Sequence, residues 1–147
     1  MIEKLSPQQV AVVWDEIKQK IRSQVAWETS DTERTLTNVL REIVSKKMQC
    51  WVASKVVKET KEVCGLLLTR INYDVIAEEK TLLIYAVYSF GFYKNDDWID
   101  SFNVVRRYAK ENGCKKMTAY SDNRRILDVS QSVLNGNIDK RYIVFEV

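Results

Sequence analysis

The stretch from residue 81 to residue 121 constrains the fold more than any other part of the chain. Residues 81–90 are rich in branched and aromatic types and contain neither glycine nor proline, which is typical of a buried β-strand. Residues 98–112 then place apolar side chains at the spacing of one helical face: Trp98, Phe102, Val105 and Ala109.

Gly113 follows this helix at the position where a left-handed residue commonly ends it. Residues 116–121 are short and half apolar, so they read as another strand. A strand, a helix and a strand in this order predict a crossover unit that joins two parallel strands.

The turn between the strand and the helix of such a unit is a natural anion site, because free amides at the helix start point into it. Here the turn holds one glycine, Gly91, and the helix entrance carries two carboxylates, Asp96 and Asp97. A catalytic carboxylate pair or a metal site is one reading of these aspartates, but a helix cap requires nothing further. A phosphate would meet two negative charges, so we expect the protein's own side chains to fill this site.

Two helices are predicted before this stretch. Residues 6–9 combine a serine cap, a first-turn proline and a glutamine three residues after the cap, and helical spacing continues to Ile21. Residues 30–33 form a second capping box, and its helix runs to about Lys46.

Two strands follow, over residues 48–55 and 63–73. The charged residues 58–62 between them have the length of a hairpin turn. Gly65, inside the second of these strands, predicts a β-bulge or a close approach of another backbone.

After residue 121, the pattern predicts a helix over residues 124–134 and a final strand over residues 142–147. The element order α-α-β-β-β-α-β-α-β predicts an α+β fold, with a mixed, mostly antiparallel sheet flanked by helices. At this length, residues 1–147 are predicted to form one domain.

Composition excludes several classes of function. The net charge is +3 with both signs mixed along the chain, which argues against nucleic-acid binding. The absence of histidine removes every Ser-His or Cys-His nucleophile pair. Three cysteines without metal-type spacing (Cys50, Cys64 and Cys114) predict free thiols and no metal site. No stretch is long enough to span a membrane, so a cytoplasmic protein is expected.

Residues 82–89, 104–113 and 116–123 resemble the fourth strand, the following helix and the fifth strand of the GNAT (N-acetyltransferase-like) fold. The similarity includes Glu-Asn-Gly-Cys at residues 111–114 and an asparagine, Asn123, after the fifth strand. In topology the resemblance covers nearly the whole chain, and it implies a GNAT-like fold. The same segment also resembles divergent GNAT-like proteins of tailed bacteriophages.

The resemblance implies particular cofactor contacts. In the family, Gly-x-Gly or Gly-x-Ala in this loop binds the pyrophosphate of acetyl-CoA, and neither glycine of that pair is present near the helix start here. If acetyl-CoA binds, its expected contacts are Phe90, Asp96, Asp97 and Asn123.

The resemblance also implies a proton donor that this chain lacks. Ser130 stands where the family usually has a tyrosine that protonates the leaving thiolate. The remaining candidate bases are Tyr85, Tyr88 and Asp74, and an unperturbed tyrosine with a pKa near ~10 is a poor base at neutral pH. No catalytic residue is therefore assigned from the sequence.

Aromatic residues cluster at the turn between the strand and the helix of the crossover unit. Phe92, Tyr93 and Trp98 suit a protein interface if the loop is exposed, because Tyr and Trp dominate interface hot spots. The alternative is that they pack over the end of the sheet.

Two functional hypotheses follow. The favoured one is a GNAT-fold protein without acetyltransferase activity and without a cofactor, acting as an interaction or assembly module in or beside a phage particle. Its partner would be another protein or further copies of itself. The alternative is an acetyl-CoA-dependent N-acetyltransferase with an atypical pyrophosphate loop.

Overall fold

The computed structural model describes residues 1–24, 31–89, 94–121, 123–139 and 143–147, with only the backbone at residues 23 and 24. The described residues form five strands and five helices, in this order: β1 (Ile2–Lys4), α1 (Pro7–Val12), α2 (Trp14–Gln24), α3 (Thr32–Val44), β2 (Met48–Val57), β3 (Thr60–Asp74), β4 (Glu79–Ser89), α4 (Asn95–Glu111), β5 (Cys114–Ala119) and α5 (Arg124–Ser132).

The first predicted helix occurs as two helices. Its start is as expected, since the Gln9 N–H donates to Ser6 Oγ (3.1 Å) and the Ser6 N–H donates to Gln9 Oε1 (2.8 Å). The prediction of one continuous helix to Ile21 is wrong, because the helix breaks at Val13. Neighbouring β-branched valines are weak helix formers, which favours a break at this point.

The second predicted helix begins one residue later than its capping box indicated. The Arg34 N–H donates to Asp31 Oδ1 at 3.0 Å, so Asp31 is the cap, and Ser30 lies outside the described residues. Together α1, α2 and α3 cover one face of the sheet, where their apolar residues join those of β2, β3 and β4 in the larger core: Val10, Ile17, Ile21, Leu36, Ile43, Cys50, Leu66, Leu68 and Tyr88.

The sheet has the strand order β1-β2-β3-β4-β5. The first four strands pair antiparallel and β4 pairs parallel with β5, which confirms the predicted mixed, mostly antiparallel sheet. The three-residue strand β1 was not predicted, because three residues are too few for a periodic pattern.

The β2–β3 hairpin is tighter than the sequence indicated. Its turn consists of Lys58 and Glu59 alone, both with positive φ (49° and 67°). Further along, the register shifts between Ala53 and Ser54, opposite Gly65. A Cβ on Gly65 would lie 3.0 Å from the carbonyl oxygen of Tyr88. Both predictions for this glycine, a bulge and a close approach, are therefore confirmed.

The crossover unit β4–α4–β5 is also confirmed, including the left-handed Gly113 (φ +78°) after α4. Helix α4 packs on the second face of the sheet, where a smaller core joins Trp51, Leu82, Val105 and Ala109. The prediction that β4 is a buried strand is wrong for most of its length. Within β4 only Leu82 and Tyr88 are buried, because β4 is bordered on one side by a single short edge strand.

The predicted final strand is not present in residues 143–147, and residues 140–142 lie outside the described part of the chain. Ile143, Phe145 and Val147 are exposed. Their alternating pattern fits a strand, but a strand also needs a neighbouring edge, which the pattern does not supply. None of the described helices combines the length and the hydropathy that a membrane-spanning segment requires.

Candidate functional site

The two parallel strands of the crossover part from one another before β4 ends. Their pairing runs from Lys80 and Cys114 to Ile84 and Ala119. Strand β5 ends at Ala119, whereas β4 continues for five more residues to Ser89. The unequal strand lengths thus open a fork between β4 and the end of β5, and the first half of α4 lies over it.

A cavity of about 120 Å³ occupies this fork. Its walls come from β4, α4, β5 and α5, and most of the side chains in them are apolar. Four of the residues that line it carry a hydroxyl group: Tyr88, Ser89, Ser101 and Ser130. Apolar walls with a few polar groups are typical of small-molecule sites, so the fork is the candidate functional site.

Ser130, identified from the sequence as the residue at the usual tyrosine position, lies in the cavity wall. Ser130 is part of α5. Asn123 caps the start of this helix, because its Oδ1 accepts the N–H of Ile126 (3.2 Å). The turn after α5 holds the backbone of Ser130 in place, because the Gly136 N–H donates to the Ser130 carbonyl oxygen at 2.7 Å. In this structure the side chain of Asn123 is a helix cap that positions Ser130.

The tyrosines of β4 are not bases. Burial raises the pKa of Tyr88 well above its ordinary value, and the neighbouring Tyr85 raises it further. Burial also raises the pKa of Tyr85. Both rings therefore stay protonated at neutral pH, and their hydroxyls can donate hydrogen bonds but cannot accept a proton from an ammonium group.

The start of α4 carries one charge pair that the sequence analysis missed. Lys55 Nζ lies 2.9 Å from Asp97 Oδ2, and the same oxygen accepts the N–H of Lys94 at 2.9 Å. The hydrogen bond from Lys55 and that from Lys94 lower the pKa of Asp97. Nothing in the sequence pattern links Lys55, at the end of β2, to a helix that begins forty residues later.

This pair changes the charge expected at the helix start. The charge of Asp97 is balanced by Lys55, and the carboxylate bonds to the Lys94 amide rather than to the amides of the first turn. Those amides have no acceptor within the helix. Asp96 is exposed, as is Lys94 beside it. The site therefore does not present two unopposed negative charges to an anion.

The aromatic residues of the predicted interface divide into two groups. Trp98 is partly buried, packs beside Ala53 and Cys64, and lines the cavity. Phe92 and Tyr93, together with Phe90 and Gly91, lie outside the described residues.

No protein-family model matches the sequence, and no curated protein matches it significantly. Solved structures do match over the whole chain. One is a probable acetyltransferase, with a TM-score of 0.71 and 11% identity, over 100% of this chain and 96% of the other. An aminoglycoside acetyltransferase from an uncultured soil metagenomic sample, in complex with sisomicin, has a TM-score of 0.69 and 12% identity, over 100% of this chain and 95% of the other.

A third match is aminoglycoside N-acetyltransferase AAC(6')-Iy in complex with CoA, with a TM-score of 0.71 and 13% identity, over 100% of this chain and 93% of the other. At these identities the similarity establishes the fold. The chain has the α+β fold of GNAT-like acetyltransferases, as the sequence resemblance implied.

Proposed function

We propose that this protein is an N-acyltransferase that uses a CoA thioester as its acyl donor. The observation that carries the proposal is the fork between β4 and β5, which holds an apolar cavity beneath the start of α4. Whole-chain similarity to acetyltransferases, one of them in complex with CoA, supports it. This reverses the order of the two hypotheses drawn from the sequence.

When bound, the donor would supply a thioester whose acyl carbon forms a bond to an amine nitrogen as its C–S bond breaks, the amine losing a proton and the sulfur gaining one. Ser130 contributes a hydroxyl on the cavity wall that can donate a hydrogen bond there. Tyr88 belongs to the larger core and also borders the cavity, and its raised pKa makes it a weak acid. The amine would therefore have to arrive already deprotonated or lose its proton to water.

The residues at the start of α4 fit a diphosphate better than the sequence indicated. Lys55 balances Asp97, and Lys94 adds a positive charge at the surface. The first-turn amides of α4 have no acceptor within the helix, and the positive end of its dipole favours an anion. Lys55 is therefore a proposed positioning residue for the diphosphate of the donor.

A non-catalytic interaction module remains the second candidate. The observation that favours it is the absence, among the described cavity residues, of a group with a pKa suited to proton transfer, since Ser130 replaces the expected tyrosine. Such a module would bind a protein partner or further copies of itself, and an origin in a phage would fit an assembly role.

Calorimetric titration with acetyl-CoA separates the two candidates. We expect a dissociation constant in the micromolar range, weakened about tenfold by Lys55→Met and abolished by Ser89→Trp, which places a large side chain in the fork. Lys58→Met, at the exposed hairpin turn, is the matched control and should bind as the parent does. Absence of heat and of a thermal shift at millimolar acetyl-CoA would reject the enzyme and favour the module.

A further inference from the structure

The cavity at the fork continues beneath α4 across the sheet. Besides residues of β4 and β5, it is lined by Ile2 of β1, Ala53 of β2 and Cys64 of β3. Neighbouring strands lie about 4.8 Å apart, so β1 is about 14 Å from β4. We call the part of the cavity that lies beneath α4, lined by Ile2, Ala53 and Cys64, the channel.

The strand register explains where the channel runs. Ile2 pairs with Ala53, Ala53 with Gly65, and Gly65 with Ser89, so these four residues form one row across the sheet. Directly paired residues project from the same face of a sheet. Three members of the row are small, and the row lines the cavity together with Trp98 of α4, which packs beside Ala53.

Larger side chains on the same face close the channel on the side towards the C-terminal end of α4. Trp51 pairs with Leu67, and Leu67 pairs with Val87, one pleat away from the row of small residues. Trp51 is buried and belongs to the core under α4, against which Leu67 packs. The row of small residues thus forms the floor of the channel, and the larger side chains of Trp51, Leu67 and Val87 form its wall on this side.

The size and chemistry of the channel favour an alkyl chain. An apolar cavity of about 150 Å³ can hold a benzene molecule, so the cavity as a whole, at about 120 Å³ with the fork included, accommodates roughly five carbon atoms. An acetyl group would leave most of this space empty, and the polar amides of a CoA arm would find few partners among its apolar walls.

We propose that the preferred donor is a linear medium-chain acyl thioester, of about six carbons, whose alkyl chain lies in this channel. This inference rests on the proposed acyltransferase function. The thioester would sit at the fork, and the chain would extend from Ser89 along the row towards Ala53 and Ile2.

The test compares acetyl-CoA with hexanoyl-CoA by isothermal titration calorimetry. Each methylene that leaves water tightens binding by about fourfold. We therefore expect hexanoyl-CoA to bind at least ten times more tightly than acetyl-CoA. Equal affinities for the two thioesters would overturn the chain-length inference and leave the acyltransferase proposal intact, whereas no binding of either would refute both.

Variants that fill the channel provide a second test of the chain-length inference. Ser101→Leu fills its middle from α4, and Ala53→Val fills its far end from β2. In either variant the ratio of the two dissociation constants should fall towards one. Asn103→Leu, which adds the same side chain on the exposed side of α4, should keep the parent ratio. A parent-like ratio in folded Ala53→Val or Ser101→Leu protein would place the chain elsewhere and overturn the inference.

Discussion

The ion pair between Lys55 and Asp97 gives a quantitative test of how the end of β2 holds the start of α4. The substitution Lys55→Met removes the charge but keeps most of the side-chain length. It leaves the Asp97 carboxylate with the Lys94 N–H as its remaining hydrogen bond among those described above.

The expected loss lies between two known limits. Exposed pairs contribute about 0.2–1 kcal/mol, whereas breaking a fully buried pair costs about 3–5 kcal/mol. The side chains of Lys55 and Asp97 are 25% and 29% exposed. We therefore expect Lys55→Met to lower the free energy of unfolding by about 1–2 kcal/mol at neutral pH.

The dependence on pH follows from the pKa of Asp97, which lies below its ordinary value of 3.8 in the folded protein. A carboxyl whose pKa falls on folding stabilises the protein above its unfolded pKa, and that contribution is lost as the pH falls through the folded value. The difference between the parent and Lys55→Met should thus be constant from pH 5 to pH 7, by this linkage, and shrink below about pH 4.

Urea unfolding of the parent, Lys55→Met, Asp97→Asn and the double variant measures this coupling directly. The coupling energy should be about 1 kcal/mol at pH 7 and should decline in acid. A coupling near zero at pH 7, or one that does not change in acid, would refute the reasoning.

Two further predictions concern the sheet. Replacing Lys58 and Glu59 together by Asn and Gly should raise the free energy of unfolding by about 1–2 kcal/mol in urea melts, because both residues adopt positive φ and Asn-Gly suits this turn; no gain would contradict the turn geometry. Thr69→Val should cost about 1–3 kcal/mol in the same assay, because buried Thr69 Oγ1 accepts from Trp51 Nε1 (3.0 Å) and donates to Gln49 Oε1 (2.8 Å). A near-neutral Thr69→Val would mean that water replaces these bonds.

Local signals predicted much of this fold. The crossover followed from an apolar run, a helical face and Gly113, each of which depends on neighbours within a few residues. Gly65 was also informative, because a glycine inside a strand pattern usually marks either a β-bulge or a close approach of another backbone.

The parts that sequence analysis missed depend on contacts between distant residues. The ion pair of Lys55 and Asp97 joins a strand end to a helix start, and the channel needs the register of four strands. The error in residues 143–147 has the same origin, because a periodic pattern describes one strand and not its neighbour. Ser130, which the family resemblance singled out, lines the cavity, and the resemblance could point to it because an alignment carries long-range information that periodicity lacks.

Helix α5 differs from the other long helices in that none of its residues is fully buried. Its contacts are made by half-buried side chains such as Ile126 and Val129, so little apolar surface is exposed when it separates from the rest of the molecule. The remaining walls of the fork belong to the sheet and to α4, which are anchored in the core. Detachment of α5 would therefore widen the fork at a small cost in buried apolar surface, and Ser130 would leave and return with it.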